Sequence, residues 1–329
     1  YTDKPVHSML YMAAEHHPDM GLICGGYHLR YPEVKEQSER LAGALLNLGL
    51  VKGDRVATML PTSIQFVVVD YALSIAGLVH VPVSFLDSVE MLADKMNTST
   101  SRALICTTGN IDKANETVNH TSGMQIIVTD MNDYSGNPLA ASAIAESGEY
   151  LRMRDMIKNS DPLCTPSVID VTCDMETLLF TGGTTGVAKG CMLTHRNVYA
   201  NALQNSYAVG QLEQTVKGAA SVLLGMPFFH SYGHMIMHSM TMLGFNQILI
   251  PDPRDSAGMI DAIREHRPVV QIGVPTQFMK LASKNVGKEF NILAISGSAA
   301  LPPNLAQEYE DQCGGNIMEG YGLSEMTAV

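Results

Sequence analysis

Apolar residues along this chain fall into short unbroken runs separated by amphipathic stretches and turn residues. Arg55 to Leu60 is one such run, closed by Pro61, and Ala103–Cys106, Gln125–Thr129, Gln247–Ile250, Val269–Val274 and Ile292–Ser296 are others. None shows the period-two alternation of a half-solvated strand. The pattern therefore predicts strands buried on both faces, in largely parallel sheets covered by helices. Pro32 to Leu48 is amphipathic, with Val34, Leu41, Leu45 and Leu48 near one face, and Gly49 ends it as a helix stop. Met259 to Glu265 reads as a second helix, and Cys24-Gly25-Gly26-Tyr27 as a hairpin. The longest apolar stretch, Phe66 to Val83, holds Asp70, Ser74, Gly77 and His80. A charge at a bilayer centre costs several kcal/mol, so no transmembrane segment is expected there. The stretch predicts a buried helix over Thr62 to Ala76, a break at Gly77, and a short strand. Asp130 to Asp174 is rich in Asn, Ser, Gly, Pro and Asp and reads as an irregular connection with one short helix near Gly148 to Lys158. No sequence repeat is visible.

Composition narrows the class. The chain has 329 residues, 46% of them hydrophobic and 16% charged, enough for a large core divided into two lobes. The net charge is −12 with no basic run, which argues against a nucleic-acid partner. Cysteines 24, 106, 164, 173, 191 and 313 are scattered, with no Cys-x-x-Cys pair, as expected for reduced thiols in a cytoplasmic protein. The chain opens on Tyr1 with no signal-peptide pattern, and an N-terminal piece is expected to precede it.

Candidate chemistry concentrates in one loop. Thr181-Gly182-Gly183-Thr184-Thr185-Gly186-Val187-Ala188-Lys189-Gly190 follows the apolar run Leu178-Leu179-Phe180. Glycines let a backbone turn its N–H groups inward around an anion. Threonine hydroxyls add donors or metal ligands, and the lysine adds a point charge. The spacing is not that of a P-loop, because Lys189 stands three residues after Gly186 and is followed by Gly190. By composition alone such a loop is either a phosphate cradle or a plain surface turn.

Three further segments resolve that choice. They are Met226-Pro227-Phe228-Phe229-His230, Ser296-Gly297-Ser298-Ala299-Ala300-Leu301-Pro302 and Glu319-Gly320-Tyr321-Gly322-Leu323-Ser324-Glu325. With the glycine/threonine loop and the stretch from Cys24 through Gly53-Asp54-Arg55-Val56, they resemble, in order, the motifs of the adenylate-forming (AMP-binding) superfamily, of acyl-CoA synthetase or fatty-acid–CoA ligase type. The resemblance covers essentially the whole chain. It implies an α/β fold of two largely parallel sheets flanked by helices, corresponding to the large N-terminal domain. Its two subdomains would span roughly 51–190 and 1–50 plus 191–329.

The resemblance also implies a reaction. A carboxylate attacks the α-phosphate of ATP to give acyl-AMP and pyrophosphate, and the acyl group then passes to CoA. Thr181, Gly182, Gly183, Thr184, Thr185, Gly186 and Lys189 would hold the β- and γ-phosphates. Glu325 would bind Mg²⁺, with Thr184 touching the metal, and Ser324 would contact phosphate. Tyr321 would stack on adenine, opposite Gly297, Ser298 and Ala299, with Glu319, Gly320 and Gly322 completing the nucleotide side. His230 would border the acyl pocket and the nucleotide. Thr184, Lys189, His230 and Glu325 are the expected catalytic set.

Some residues admit a plainer reading. His230, His234 and His238 fall at i, i+4 and i+8, a possible zinc face, but no HExxH pattern and no acidic residue lies within the segment. His234 and His238 are accordingly expected to be helix-packing residues. His195 and Asn197 follow Thr194, a helix N-cap by type, and read as helix-start residues. The Met-rich stretch from Gly233 to Gly244 reads mostly as core, with some side chains available to an adaptable apolar tunnel. A histidine and a serine after Phe228-Phe229, where amino-acid-activating members carry aspartate, favour a fatty or aromatic acid. The alternatives are a ligase passing its acyl-adenylate to a carrier protein or to oxidation, and a nucleotide-binding module without catalysis. Family members continue past the position of Val329 into a small C-terminal domain, expected to be missing here, which would leave this piece nearly inactive. A homodimer is compatible with the sequence but not specified by it.

Overall fold

The computed structural model describes residues 3–135, 150–181, 189–213, 220–284 and 286–327. Two seven-stranded sheets carry the chain. Strands β1 (Gly21–Cys24) and β2 (Tyr27–Arg30) belong to the first sheet. They are joined there by β10 (Ser221–Leu224), β11 (Asn246–Leu249), β12 (Val270–Gly273), β13 (Leu293–Ser296) and β14 (Ile317–Glu319). The second sheet holds β3 (Arg55–Met59), β4 (Val79–Pro82), β5 (Ala103–Thr107), β6 (Gln125–Thr129), β7 (Leu151–Arg152), β8 (Met175–Thr181) and β9 (Lys189–Thr194). Their orders are β14-β13-β12-β10-β11-β1-β2 and β7-β6-β5-β3-β4-β8-β9.

Position by position, these are the same design. A first strand, β10 or β3, is flanked by its successor on one side and by three later strands on the other, all parallel. An antiparallel hairpin closes one edge of each sheet, β1–β2 in the first and β8–β9 in the second. One hairpin precedes its sheet in sequence and the other follows, so the topology repeats where the sequence shows no repeat.

Helices fill the faces. They are α1 (His7–His16), α2 (Tyr31–Asn47), α3 (Ile64–Ala76), α4 (Val89–Ser99), α5 (Ile111–Val118), α6 (Met153–Asn159), α7 (His195–Glu213), α8 (Ser231–Met242), α9 (Ser256–His266), α10 (Pro275–Ser283) and α11 (Pro303–Cys313). The predicted short helix near Gly148 to Lys158 is corrected in part, because Leu151 and Arg152 pair with Ile127 and Val128 as an edge strand before α6 begins.

Helix α3 has no exposed face: every residue from Ile64 to Ala76 is buried. Ser63 caps its N-terminus, accepting the Phe66 N–H at 3.3 Å, and Gly77 ends it at φ +69°. Burying side chains such as Phe66, Val67, Val69 and Ile75 is worth roughly 1.5–3 kcal/mol each, which outweighs the several kcal/mol of desolvating Asp70. Helix α8 is likewise buried from Ser231 to Thr241 and lies against α7. Met235, Met237 and Met240 are thereby core residues.

His7 and His195 are buried as neutral rings, burial being the largest cause that pulls each down from 6.5 to about 4. His7 Nδ1 lies 3.2 Å from both the carbonyl and hydroxyl oxygens of Ser74, and its ring packs on Tyr11. His195 accepts the Val6 N–H on Nδ1 at 3.3 Å, with His7, Asp174, Asp70 and Lys52 as its ionisable neighbours. A histidine whose folded pKa is depressed binds a proton more readily when unfolded. Its contribution is therefore intact above pH 6.5 and is lost as pH falls from 6.5 towards 4, at about 1.4 kcal/mol per unit for each ring. We expect denaturant-measured stability to fall steeply between pH 6.5 and 4.5, and His195→Asn to flatten that slope by about one proton. An unchanged slope in the variant would contradict this assignment.

Candidate functional site

In parallel sheets, ligand sites form beyond the carboxyl ends of strands, where neighbouring connections leave in opposite directions. Here those points are the ends of β10 and β3, and they meet. The Thr62 hydroxyl, just past β3, donates to the Met226 carbonyl at 2.7 Å, just past β10. The same oxygen accepts the Phe228 N–H at 3.2 Å. One buried threonine thus fastens the loop carrying Pro227-Phe228-Phe229-His230 to the opposite sheet.

His230 caps α8, its Nδ1 accepting the Tyr232 N–H at 3.3 Å, and the first turn of α8 opens beside it. Helix N-termini favour negative charge. The loop after β13 runs under this turn. The Gly297 N–H donates to the Gly273 carbonyl at 3.0 Å. A Cβ on Gly297 would stand 2.7 Å from the Tyr232 ring, so that position needs glycine. Ser298 follows at φ +67°, a left-handed conformation that non-glycine residues adopt at a cost. Ala299 is exposed beside it. Glu319, at the end of β14, accepts the Leu301 N–H at 3.0 Å and so braces the Ser298–Leu301 loop. The Gly320 N–H donates to the Ser296 carbonyl at 2.7 Å. These contacts bring the Gly297–Ala299 and Glu319–Gly320 segments side by side.

The chain then crosses back. Tyr321 is 80% exposed and Gly322 is exposed next to it. The Ser324 hydroxyl lies 2.9 Å from that of Ser231 at the start of α8, and the Ser324 carbonyl accepts from the Cys191 thiol at 3.5 Å. Cys191 belongs to β9, two residues from Lys189. Its thiol is pushed up by burial and then by the nearby Glu325 carboxylate. Cys191 of β9, Ser231 at the start of α8 and the Ser324–Glu325 segment therefore share one ledge, and Lys189 stands two residues along β9 from it. Lys189 and Glu325 are both exposed there. Thr181 pairs with Lys189 across the β8–β9 hairpin, its hydroxyl 3.4 Å from the Lys189 carbonyl. Gly182, Gly183, Thr184, Thr185 and Gly186 lie outside the described residues. The hairpin fixes where the loop starts and ends.

One cleft borders the site and another lies apart from it. The first, of about 250 Å³ and largely apolar, lies beside the Thr62 bridge and is lined by Pro61, Phe85, Leu86, Phe229, Pro251 and Arg254. A larger one, about 510 Å³, lies between α2 and α6 among Glu33, Glu36, Arg40 and Arg154. Its walls include Tyr27 and Leu29 but none of the residues at the ends of β3 and β10, so it lies away from the strand ends where this fold builds sites. Thr62 was not singled out from the sequence as a bridge, because its partners stand 164 and 166 positions away. A threonine following a strand–proline break carries no signal of such a role. The plain reading of His195 as a helix-start residue is incomplete: Thr194 does cap α7, through the Asn197 N–H at 3.3 Å, but His195 is fully buried.

Comparison with known proteins bears on the family and the fold. The family model for AMP-binding enzymes matches residues 10–329. A long-chain-fatty-acid–CoA ligase of Bacillus subtilis is 31% identical, covering 99% of this chain and 61% of its own length. The chain thus spans about three-fifths of the curated relative it matches. Among solved structures, a benzoate CoA ligase from Burkholderia xenovorans has a TM-score of 0.83 at 21% identity, over 98% of this chain and 62% of that one. ATP-bound MatB from Rhodopseudomonas palustris has a TM-score of 0.81 at 22% identity, over 98% and 60%. The likeness to these structures is one of fold; the sequence match from residue 10 onwards establishes that the chain belongs to the AMP-binding enzyme family.

Proposed function

We propose that this chain forms the ATP-binding and acid-binding part of an AMP-forming acid–thiol ligase, which activates a fatty or aromatic carboxylic acid as acyl-AMP and passes it to CoA. The observation that carries the reading is the ledge shared by Cys191, Ser231 and Ser324, which joins the β8–β9 hairpin carrying Lys189 to the Tyr321–Glu325 segment. The fatty-acid–CoA ligase relative supports the acid and the thiol.

A carboxylate is a poor electrophile, and activating it is mainly a matter of holding two anions together while pyrophosphate leaves. Lys189 supplies a positive charge at the mouth of the hairpin. The N–H groups of the Thr181–Gly186 loop, with the hydroxyls of Thr184 and Thr185, would hold the departing phosphates. The α8 N-terminus and His230 face the side where acid and α-phosphate meet. Glu325 fits Mg²⁺ by chemistry: it is an exposed carboxylate with no hydrogen bond or ion pair among the described residues, and Mg²⁺ takes one or two carboxylates with phosphate oxygens. Bound there with Thr184, the ion would offset phosphate charge. Gly297, Ser298 and Ala299 leave a low wall for a purine, with Tyr321 free to cover it and Gly320 and Gly322 keeping the approach open.

The direct test is pyrophosphate release by the full-length protein across a panel of carboxylic acids, with and without CoA. Acid-dependent release, with thioester formed only when CoA is added, is the expected outcome. Absence of acid-dependent release would sink the proposal, and thioester formed only on a carrier protein would replace CoA as acceptor. Lys189→Ala and Glu325→Gln should each lower release by roughly 10²–10³-fold without loss of folding. Gly297→Ala should raise the KM for ATP and lower Tm, because the new methyl meets Tyr232. Tyr232→Leu in the same chain should recover part of the Tm, and no recovery would mean the strain lies elsewhere.

A further inference from the structure

Beneath the first turn of α8, five ionisable side chains meet in the core. Asp70, His80, His234 and His238 are fully buried and Glu176 is 1% exposed. They come from α3, β4, α8 and β8. Asp70 Oδ1 accepts from His80 Nδ1 at 2.7 Å and from His234 Nε2 at 2.6 Å. His80 Nε2 lies 2.7 Å from the Thr58 hydroxyl, which fixes that ring. His238 Nδ1 lies 3.2 Å from the Tyr71 hydroxyl and turns Nε2 towards Asp70 Oδ2 at 3.3 Å.

The arrangement leaves too much unmet. Asp70 Oδ2, both oxygens of Glu176, His234 Nδ1 and His238 Nε2 are all buried without a hydrogen-bond partner among the described residues. An orphaned buried polar atom costs on the order of 1–3 kcal/mol, more when charged, and native structures hold few of them. Here they cluster at one point. One ligand atom each from Asp70, Glu176, His234 and His238 can be chosen so that all lie within 4.8 Å of one another.

The geometry points to a buried structural site for a divalent transition-metal ion of zinc type, held by Asp70, Glu176, His234 and His238, with His80 orienting Asp70 from behind. Two carboxylates and two neutral imidazoles give a donor charge of −2, which one divalent ion cancels. Four protein ligands with no face to solvent match a closed structural site rather than a catalytic one. Imidazole donors select against Mg²⁺ and Ca²⁺ and for the zinc group. The His80–Asp70 bond, itself held by Thr58, is the outer-partner arrangement that orients metal ligands. Without an ion, burial and the adjacent Asp70 push Glu176 well above the usual carboxylate range.

Such an ion would tie α3 to α8 and to β8, five residues before Thr181 in the nucleotide hairpin. It would hold both halves of the ledge without touching its ligands. The α8 histidines fall at helical spacing, but their acidic partners stand 164 and 58 positions upstream of His234, so no local motif announces the set.

The experiment refolds the protein from a chelated denatured state with Zn²⁺, with Co²⁺, or with no metal, and measures bound metal after desalting. We expect about one ion per folded chain and ligand-field visible bands from Co²⁺ without thiolate charge transfer. The metal-free protein should melt roughly 10 °C lower. The ion should resist chelator in the folded state and be released on unfolding, because the site has no exposed face. Glu176→Gln and His238→Gln should each lose the ion. Wild-type protein that folds in the presence of Zn²⁺ or Co²⁺ yet retains neither would overturn the site, as would metal retained by the two variants combined or a thiolate spectrum indicating cysteine ligation. Should the variants fail to fold, the Co²⁺ spectrum of the wild type still decides.

Discussion

Everything in this fold is arranged around a helix that water never reaches. Helix α3 is buried on all sides between the two sheets. A helix so placed must be apolar all round, and it is, except at Asp70, Ser74 and the N-terminal Gln65. Each polar exception is met by a partner from elsewhere: Gln65 donates to the Asp130 carbonyl at 2.8 Å, and the Ser74 hydroxyl accepts the His7 N–H at 3.0 Å. These bonds tie a loop of the second sheet and the N-terminal helix to the same rod. The core is thus continuous across two sheets that would otherwise be independent domains.

Much of this was legible in the chain, and the limits follow from range. Runs such as Arg55–Leu60 and Gln125–Thr129 announce buried strands because a strand covered on both faces has no polar positions to spare. Gly49 and Gly77 mark helix ends because left-handed termini select glycine. Helices α1 and α4 and strand β10 carried weaker local patterns and were not anticipated. That β1–β2 would join the sheet formed by residues 221–319 rests on parallel pairing of Leu22 with Gln247, a contact no local pattern encodes. The same distinction divides the site. Segments proposed to meet ligand through their own backbone, such as Gly297–Ala299, have compositional signatures. Residues that matter through a distant partner, such as Thr62 and Asp70, do not.

The repeated topology offers a reason for the position of the site. Each sheet alone has a reversal point where loops diverge, and each alone would make a shallow site. Set with those points meeting, they bring the start of α8, after β10, and the Ser324 segment, after β14, against the β8–β9 hairpin of the other sheet. Thr62 joins the two reversal points with a donated and an accepted hydrogen bond from a single hydroxyl. Valine there would keep the shape, yet it would strip a partner from the Met226 carbonyl and the Phe228 N–H at once.

Precision at the ledge is therefore inherited from the core and not from the loops. Ser231 and Ser324, 2.9 Å apart, each come from the end of a different element, so their register depends on how those elements are placed. What holds them is the placement of α8, and that depends on how α8 meets α3 along its buried length. Two of its contacts, His234 to Asp70 and His238 to Tyr71, are polar and directional, so sliding α8 by one residue would unmake both. Apolar packing alone tolerates small slippage, because methionine side chains such as Met235 and Met237 re-form contacts in several rotamers. A methionine-rich helix that must place its N-terminus accurately needs fixed polar contacts in its core-facing stripe. The buried histidines supply that register one and two turns from the site, where they constrain the ledge without competing for its anions.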